Sequence, residues 1–339
     1  MTILLGPARP PVRSTVPRSR RCRQNLRPVH RVSPPISHTG ETDGGKWSAC
    51  VVFPQSSRST LLKVSSFFNF LLEPLLATPP VGSISFSENK MQGMEVQPHI
   101  RLRKGQVEPV VIVVGDPART EEVANMCEQK EELAYNREYR SFRVVYDGQP
   151  ITVVSHGIGC PGTSICCEEL IYLGAKVIIR AGTCGSLKPT LKQGDVFVPF
   201  ASAQETGLIT HLLPAGFPCV ASPHVYQALT NAAKEANIEV ASGVGLTQDH
   251  FYAGPIHAAN WEMWSKCCDT IDMETGGIFG LCQARGIQSG AILAVDGSPL
   301  KWDDGDYDAT GATTLAGKQK MIKIVLKACA NLRREYPAN

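Results

Sequence analysis

Four short stretches bring together residue types suited to anion binding, hydroxyl recognition and proton transfer. Gly115-Asp116-Pro117-Ala118-Arg119 offers a glycine, whose bare backbone lets amide N–H groups approach an anion, and an arginine four residues later that can reach the same point. Arg180-Ala181-Gly182-Thr183-Cys184-Gly185 places a second arginine at the end of an apolar run, followed by small residues and the Thr183 hydroxyl. Two guanidinium groups, a hydroxyl and backbone amides describe a phosphate site. Asp272-Met273-Glu274-Thr275 carries a carboxylate, Glu274, able to accept two hydrogen bonds from the vicinal hydroxyls of a ribose. Val295-Asp296-Gly297 sets an acid directly after a buried run, where it can serve as a general acid, ahead of a stretch with Lys301 and Trp302. Each has a plainer reading: a paired or solvated arginine, a carboxylate at a helix N-terminus, a turn-forming Asp before Gly.

Between them lies Ser155-His156-Gly157-Ile158-Gly159-Cys160-Pro161-Gly162, which contains a literal G-x-G-x-x-G between a strand and a helix. A dinucleotide-binding oxidoreductase is therefore a rival reading. The next strand ends in Arg180 where an NAD site places an acid, although an NADP site could use that arginine. Pro161 has no N–H to offer a pyrophosphate. Asp303, Asp304, Asp306 and Asp308 imitate a calcium loop, but Ala309 stands where the tight-turn glycine is needed, so a solvated loop is expected. The eight histidines show no H-E-x-x-H spacing, and no catalytic metal is expected.

The elements that must position these groups show as short apolar runs ended by Gly, Pro or polar turns. Strands are predicted over Val110 to Val114, Ile151 to Ser155, Val177 to Arg180, Asp195 to Pro199 and Ala291 to Val295. Helices are predicted over Thr163 to Leu173, Pro223 to Ala236, Thr275 to Gly286 and Gly317 to Leu332, giving a βαβ order. In an open α/β sheet ligands bind beyond the carboxyl ends of the strands, which is where all four stretches fall. No repeat of solenoid period occurs, and one α/β domain over 93–339 is the simplest division.

The chain has 339 residues, 43% of them apolar, enough for a sizeable core. Its net charge of +3 hides an asymmetry: residues 1–90 carry 12 Lys and Arg against 4 Asp and Glu, the remainder 22 against 27. A nucleic-acid partner for the folded part loses its support. Residues 1–92, rich in Arg, Pro and Ser, do not build a core and read as a disordered extension, or as a start placed too early with Met91 or Met94 opening the working chain. An organelle transit peptide fits the composition, but its prolines spoil an amphipathic helix. The apolar stretch Leu61 to Ala77 is broken by Lys63, Asn69, Glu73 and Pro74, so no membrane span is expected. Twelve scattered cysteines without a C-x-x-C read as reduced thiols in an intracellular, cytoplasmic protein.

Ser155-His156-Gly157-Ile158-Gly159, running on to Ile165 and Glu169-Leu170, resembles the signature of the purine nucleoside/uridine phosphorylase family of hexameric type. The resemblance extends through Gly115-Asp116-Pro117-x-Arg119, Asn136-Arg137-Glu138-Tyr139, Arg180-Ala181-Gly182-Thr183, Met273-Glu274 and Asp296, over about residues 93–335. Val295-Asp296-Gly297 and Lys301-Trp302-Asp303 are most similar in wording to the apicomplexan parasite members. The resemblance implies a single-domain three-layer α/β sandwich with a mixed, partly barrel-like central sheet flanked by helices. It implies phosphorolysis of purine ribonucleosides, with inorganic phosphate as co-substrate and no cofactor. Gly115, Arg119, Arg180 and Thr183 would hold phosphate, completed by Arg137 from a neighbouring subunit of a hexamer built as a trimer of dimers. Met273 and Glu274 would hold the ribose, with the neighbour's His99 near its 5′-hydroxyl. Ile158, Phe251, Tyr252 and Trp302 would lie near ribose or base, and Asp296 would address N7 of the purine. That role requires apolar surroundings to keep Asp296 protonated. Gly162 stands where many members have serine, and Thr183 keeps the hydroxyl of a commoner serine. The His-Ile-Arg pattern that follows the acid in adenosine-accepting bacterial members is missing, which points to inosine and guanosine. Uridine phosphorolysis is the nearer rival, but a pyrimidine has no N7 to meet Asp296.

Overall fold

The computed structural model describes residues 94–336 apart from 253, 255 and 257, so the expectations for the 1–92 extension lie outside the described residues. The centre is β1 (Val110–Val114), five buried β-branched residues in a row. Such a run suits a strand covered on both faces. Val110, Ile112 and Val114 pack on one side with α4 (Pro223–Glu235) and α7 (Ala312–Arg333), through Val225, Leu229, Met321 and Val325. Val111 and Val113 pack on the other with α2 (Cys160–Tyr172) and α6 (Thr275–Ala284), through Leu170 and Ile278. The two-residue period of the strand thus divides the core into the two interfaces of a three-layer sandwich.

The sheet has ten strands. On one side of β1 lies an antiparallel meander of β4 (Gln149–Ser155), β3 (Tyr139–Tyr146) and β2 (Gln129–Asn136). On the other, β5 (Val177–Ser186) pairs in parallel with both β1 and β10 (Gln288–Gly297). The remaining strands are β6 (Val196–Glu205) with its short neighbour β7 (Cys219–Val220), β8 (Ala241–Gln248) and β9 (Thr270–Asp272). Because β10 pairs with β6 as well as β5, the path β10-β6-β8-β9-β5 closes on itself. The sheet is mixed and partly barrel-like, as the resemblance implies.

The structure departs from the predicted elements in several places, among them β6, which runs past Pro199 to Glu205, and β8, for which no strand is predicted. Strand β5 continues beyond Arg180 to Ser186, so Arg180 and Thr183 both lie within it, and β10 continues through Asp296 to Gly297. Small and polar residues hid these extensions, which are held by pairing between β5 and β10. The meander replaces a strictly βαβ start; β2 is polar and largely exposed, and carries no apolar alternation to announce it. Helix α1 (Pro117–Ala124) follows β1 directly, with Pro117 in its first turn and Asp116 as its N-cap, accepting a 2.8 Å hydrogen bond from the Ala118 amide. Two short helices, α3 (Gly207–Leu212) and α5 (Trp261–Trp264), and a 3₁₀ turn over Pro299–Asp304 complete the described elements. Among the described residues ten cysteines are free thiols, and no helix is long and apolar enough to cross a membrane.

Candidate active site

A cavity of about 650 Å³ opens where β1, β5, β9 and β10 end. Its charged end is built from Arg119 on α1 and Arg180 on β5. Arg180 is buried and its guanidinium is held on three sides. Nε donates to Asp272 Oδ2 at 3.0 Å, Nη2 meets Glu274 Oε2 at 2.6 Å, and Nη1 lies 3.2 Å from His156 Nε2. Three of its five N–H groups are thereby engaged. A Cβ at position 182 would stand 2.6 Å from Arg180 Cζ, so Gly182 is what lets the guanidinium fold back along its own strand.

Arg119 differs. Its Nη1 reaches the Ala181 carbonyl at 3.4 Å, and among the described residues no carboxylate lies within ion-pair distance of it. Burial and the neighbouring Arg180 both push its guanidinium below its ordinary value. A buried cation beside a second cation is an unfavourable pair that a bound anion relieves. Gly115 lines the same end, at the β1–α1 turn, and Thr183 lines the cavity from β5.

Glu274 stands between β9 and α6, buried, with Oε1 accepting from the Gly159 amide at 2.6 Å. Burial pushes its carboxyl up, while Arg180 pulls it back. Glu274 is the N-cap residue of α6, as its plainer reading as a carboxylate at a helix N-terminus has it, but its side chain makes no capping hydrogen bond there; Asp272 does, accepting from the Thr275 amide at 3.0 Å and the Thr275 hydroxyl at 2.5 Å. The glycine-rich motif is likewise explained. Gly157 and Gly159 adopt φ of 76° and 86°, conformations open to glycine, and the amide thus presented is occupied by the chain's own carboxylate. The dinucleotide reading fails on that contact, with Pro161 in the first turn of α2.

Asp296 sits at an irregularity in β10, where the register to β5 shifts between Val295 and Gly297. Such a bulge re-aims a side chain, and Asp296 lines the cavity although its neighbours pair regularly. Burial raises its carboxyl to about 6, against the Thr183 hydroxyl, which hydrogen-bonds to it. The far end of the cavity is aromatic. Phe251 stacks on Trp302 with centroids 4.9 Å apart, and Trp261 meets Trp302 edge-on at 5.1 Å. Tyr307 approaches both Phe251 and Trp302.

Of the residues singled out from sequence, Gly115, Arg119, Ile158, Arg180, Thr183, Phe251, Met273, Glu274, Asp296 and Trp302 line this one cavity. Tyr252 does not: it packs edge-on to Phe251 and is 83% exposed. His99 and Arg137 also lie elsewhere in this chain. His99 lines a smaller cavity, its backbone amide and Nδ1 both held by the buried carboxylate of Glu169, Nδ1 at 2.6 Å. Arg137 is exposed in the β2–β3 turn with φ of 56°. Asp272, His156, Trp261 and Tyr307 are site residues that sequence reasoning did not assign. Asp272 and His156 stand within stretches singled out from sequence, with no role assigned to them there, while Trp261 opens α5 and Tyr307 follows the 3₁₀ turn.

Comparison with known proteins identifies the family of the chain. Residues 109–330 match the model of the Phosphorylase superfamily. A purine nucleoside phosphorylase of Plasmodium vivax is 42% identical over 248 residues, 73% of this chain and all of the relative. A uridine phosphorylase of Haemophilus influenzae is 35% identical over 58% of this chain and 84% of its own length. The crystal structure of purine nucleoside phosphorylase from Toxoplasma gondii in complex with immucillin-H superposes with a TM-score of 0.72 at 76% identity, over 73% of this chain and all of that one. With a family match over residues 109–330 and a 42% identical relative covered over its whole length, this chain belongs to the Phosphorylase superfamily.

Proposed function

We propose that the chain catalyses phosphorolysis of purine ribonucleosides, with phosphate bound at Gly115, Arg119, Arg180 and Thr183, ribose at Met273 and Glu274, and the base between Asp296 and the aromatic wall. The observation that carries this reading is Arg119, a buried guanidinium without a carboxylate partner among the described residues, set beside Arg180 in the cavity that also holds Asp296. A dianionic phosphate supplies the missing charge. As the N9–C1′ bond lengthens, positive charge grows on the ribose, and a phosphate oxygen forms the new bond to C1′. The electron pair of the broken bond passes to the purine, and Asp296 gives its proton to N7. With its carboxyl at about 6, Asp296 is protonated in about a tenth of molecules at neutral pH. No cofactor enters this scheme.

The preference is for inosine and guanosine. Gly297 follows the acid and the Ser298 hydroxyl is committed to the Ser186 carbonyl at 2.8 Å, so the two positions after Asp296 bring no cation toward it. Arg137 and His99 act in the site of a second copy within a hexamer. Both lie outside their own chain's cavity, and Asn136, next to Arg137, donates to the His99 carbonyl at 2.8 Å, which groups the two residues. The ten free thiols among the described residues suit a reducing cytoplasm.

Base release from inosine, guanosine, adenosine and uridine, each with and without phosphate, tests the proposal. Phosphate-dependent release of hypoxanthine and guanine, with uridine inert, is the expected result. Release that ignores phosphate would make the chain a hydrolase and overturn it.

A further inference from the structure

His156 is fully buried and is not among the residues that line the cavity, yet it touches the one arginine that ties the charged end together. Its two ring nitrogens have unequal partners. Nε2 lies 3.2 Å from Arg180 Nη1, and a guanidinium nitrogen can only donate, so Nε2 must carry the lone pair. Nδ1 lies 2.9 Å from Thr163 Oγ1, and the Thr163 hydroxyl proton is directed to the Gly159 carbonyl, also at 2.9 Å. That leaves the Thr163 oxygen to accept from Nδ1–H. One tautomer satisfies both side-chain contacts: neutral, protonated on Nδ1.

The contacts close a ring. Gly159 receives the Thr163 hydroxyl on its carbonyl and gives its amide to Glu274 Oε1; Glu274 Oε2 meets Arg180 Nη2; Arg180 Nη1 donates to His156; His156 donates to Thr163. The glycine loop, the ribose carboxylate and the phosphate arginine are thus parts of one circuit. Charge explains why an imidazole stands here. Arg180 already faces two carboxylates, Asp272 and Glu274, and a third would turn the cluster against an incoming anion. A cation would repel Arg180. A neutral acceptor fixes the third corner of the guanidinium without changing the charge, and burial together with Arg180 holds the imidazole well below its ordinary value.

We propose that His156 is a positioning residue for phosphorolysis: as a neutral acceptor locked by Thr163, it fixes the plane of the Arg180 guanidinium and couples the phosphate group to the ribose carboxylate. The proposal rests on the phosphate reading of Arg180, and its test separates the two. In the full chain labelled with ¹⁵N in the imidazole rings, long-range ¹H–¹⁵N spectra should show His156 neutral, with the proton on Nδ1 and a bare Nε2. An imidazolium or the opposite tautomer overturns the proposal whatever the enzyme turns over. In kinetics, His156→Phe should raise KM for phosphate about tenfold or more, because the lost bond is charge-assisted. KM for inosine should rise with it, through Glu274. His156→Gln, which returns an oxygen acceptor near Nε2, should recover part of the phosphate KM, a rescue that a purely space-filling residue would not show. Thr163→Val keeps the volume and should raise the phosphate KM about fivefold, which keeps the test open if His156→Phe does not fold. Unchanged KM values for phosphate and inosine in folded His156→Phe would overturn the proposal. Base release that is independent of phosphate in the unaltered chain would instead defeat the phosphorylase reading, while the spectra still decide the tautomer.

Discussion

At the charged end of the cavity, where we propose that phosphate and ribose bind, three buried side chains are committed to partners within the chain: Arg180 to Asp272, Glu274 and His156, Asp272 to the first turn of α6, Glu274 to the glycine loop. These groups sit on β5, at the end of β9 and at the start of α6. The other end, which we propose as the base end, is made of aromatic faces from the stretch after β8, from α5, and from the 3₁₀ turn and the residues after it, in contact through ring edges and stacks. Phe251 and Tyr307 there are 37% and 46% exposed, whereas Arg180 is 3% exposed. The difference follows the chemistry. Charge must be met by groups already in place, because reorientation during the reaction raises the barrier, whereas a planar base needs area and tolerates small shifts. Asp296 belongs to the rigid part by its strand and to the base end by its direction, and the bulge reconciles the two.

The contrast is broken most severely at Asp296. Asp296→Asn should lower kcat for inosine by about 10²–10⁴-fold, with little change in nucleoside binding measured by calorimetry. The same residue governs pH dependence. Because its carboxyl is raised to about 6, the protonated form declines as pH rises through that value, so kcat/KM at constant phosphate dianion should fall with rising pH. Asp296→Asn should lack this limb. Asp272→Ala removes a buried partner of Arg180 and the side-chain cap of α6, and should cost about 3–5 kcal/mol of stability, read as a lowered melting temperature. Arg119→Ala should raise KM for phosphate about 10- to 100-fold, as expected for the loss of hydrogen bonds to a charged group, while leaving the melting temperature near that of the parent, since Arg119 has no ion-pair partner among the described residues to strand. The smallest effect belongs to the base end: Trp302→Ala should raise KM for inosine roughly three- to ten-fold with kcat largely retained. An equal loss at both ends would erase the distinction between them.

Much of this arrangement is legible in the chain. The run Val110 to Val114 has the unbroken β-branched texture of a doubly covered strand, and it is one. Arg119, Arg180, Glu274, Asp296 and the Thr183 hydroxyl follow apolar runs in the sequence, and they meet in one cavity. The polar strand β2 and the Gly-rich β8 are not legible, because each is held by its neighbours in the sheet rather than by an apolar pattern of its own. Arg180 reads as a strand-end residue, since the small residues Ala181 to Gly185 resemble a loop until β10 pairs with them.

Alternation of apolar residues, the positions of Gly and Pro, and the kinds of charged group present are local properties, and from them the sequence by itself determined the α/β class and the chemistry available. Which arginine is spent on carboxylates and which is left for an anion, how far the Asp296 carboxyl is raised, and what His156 does were decided only by the tertiary structure. Glu274 lies 115 residues from Gly159, and Asp272 lies 92 from Arg180. Contacts at such separations exist only once the sheet has closed, and burial, which sets the charge states, exists only with them.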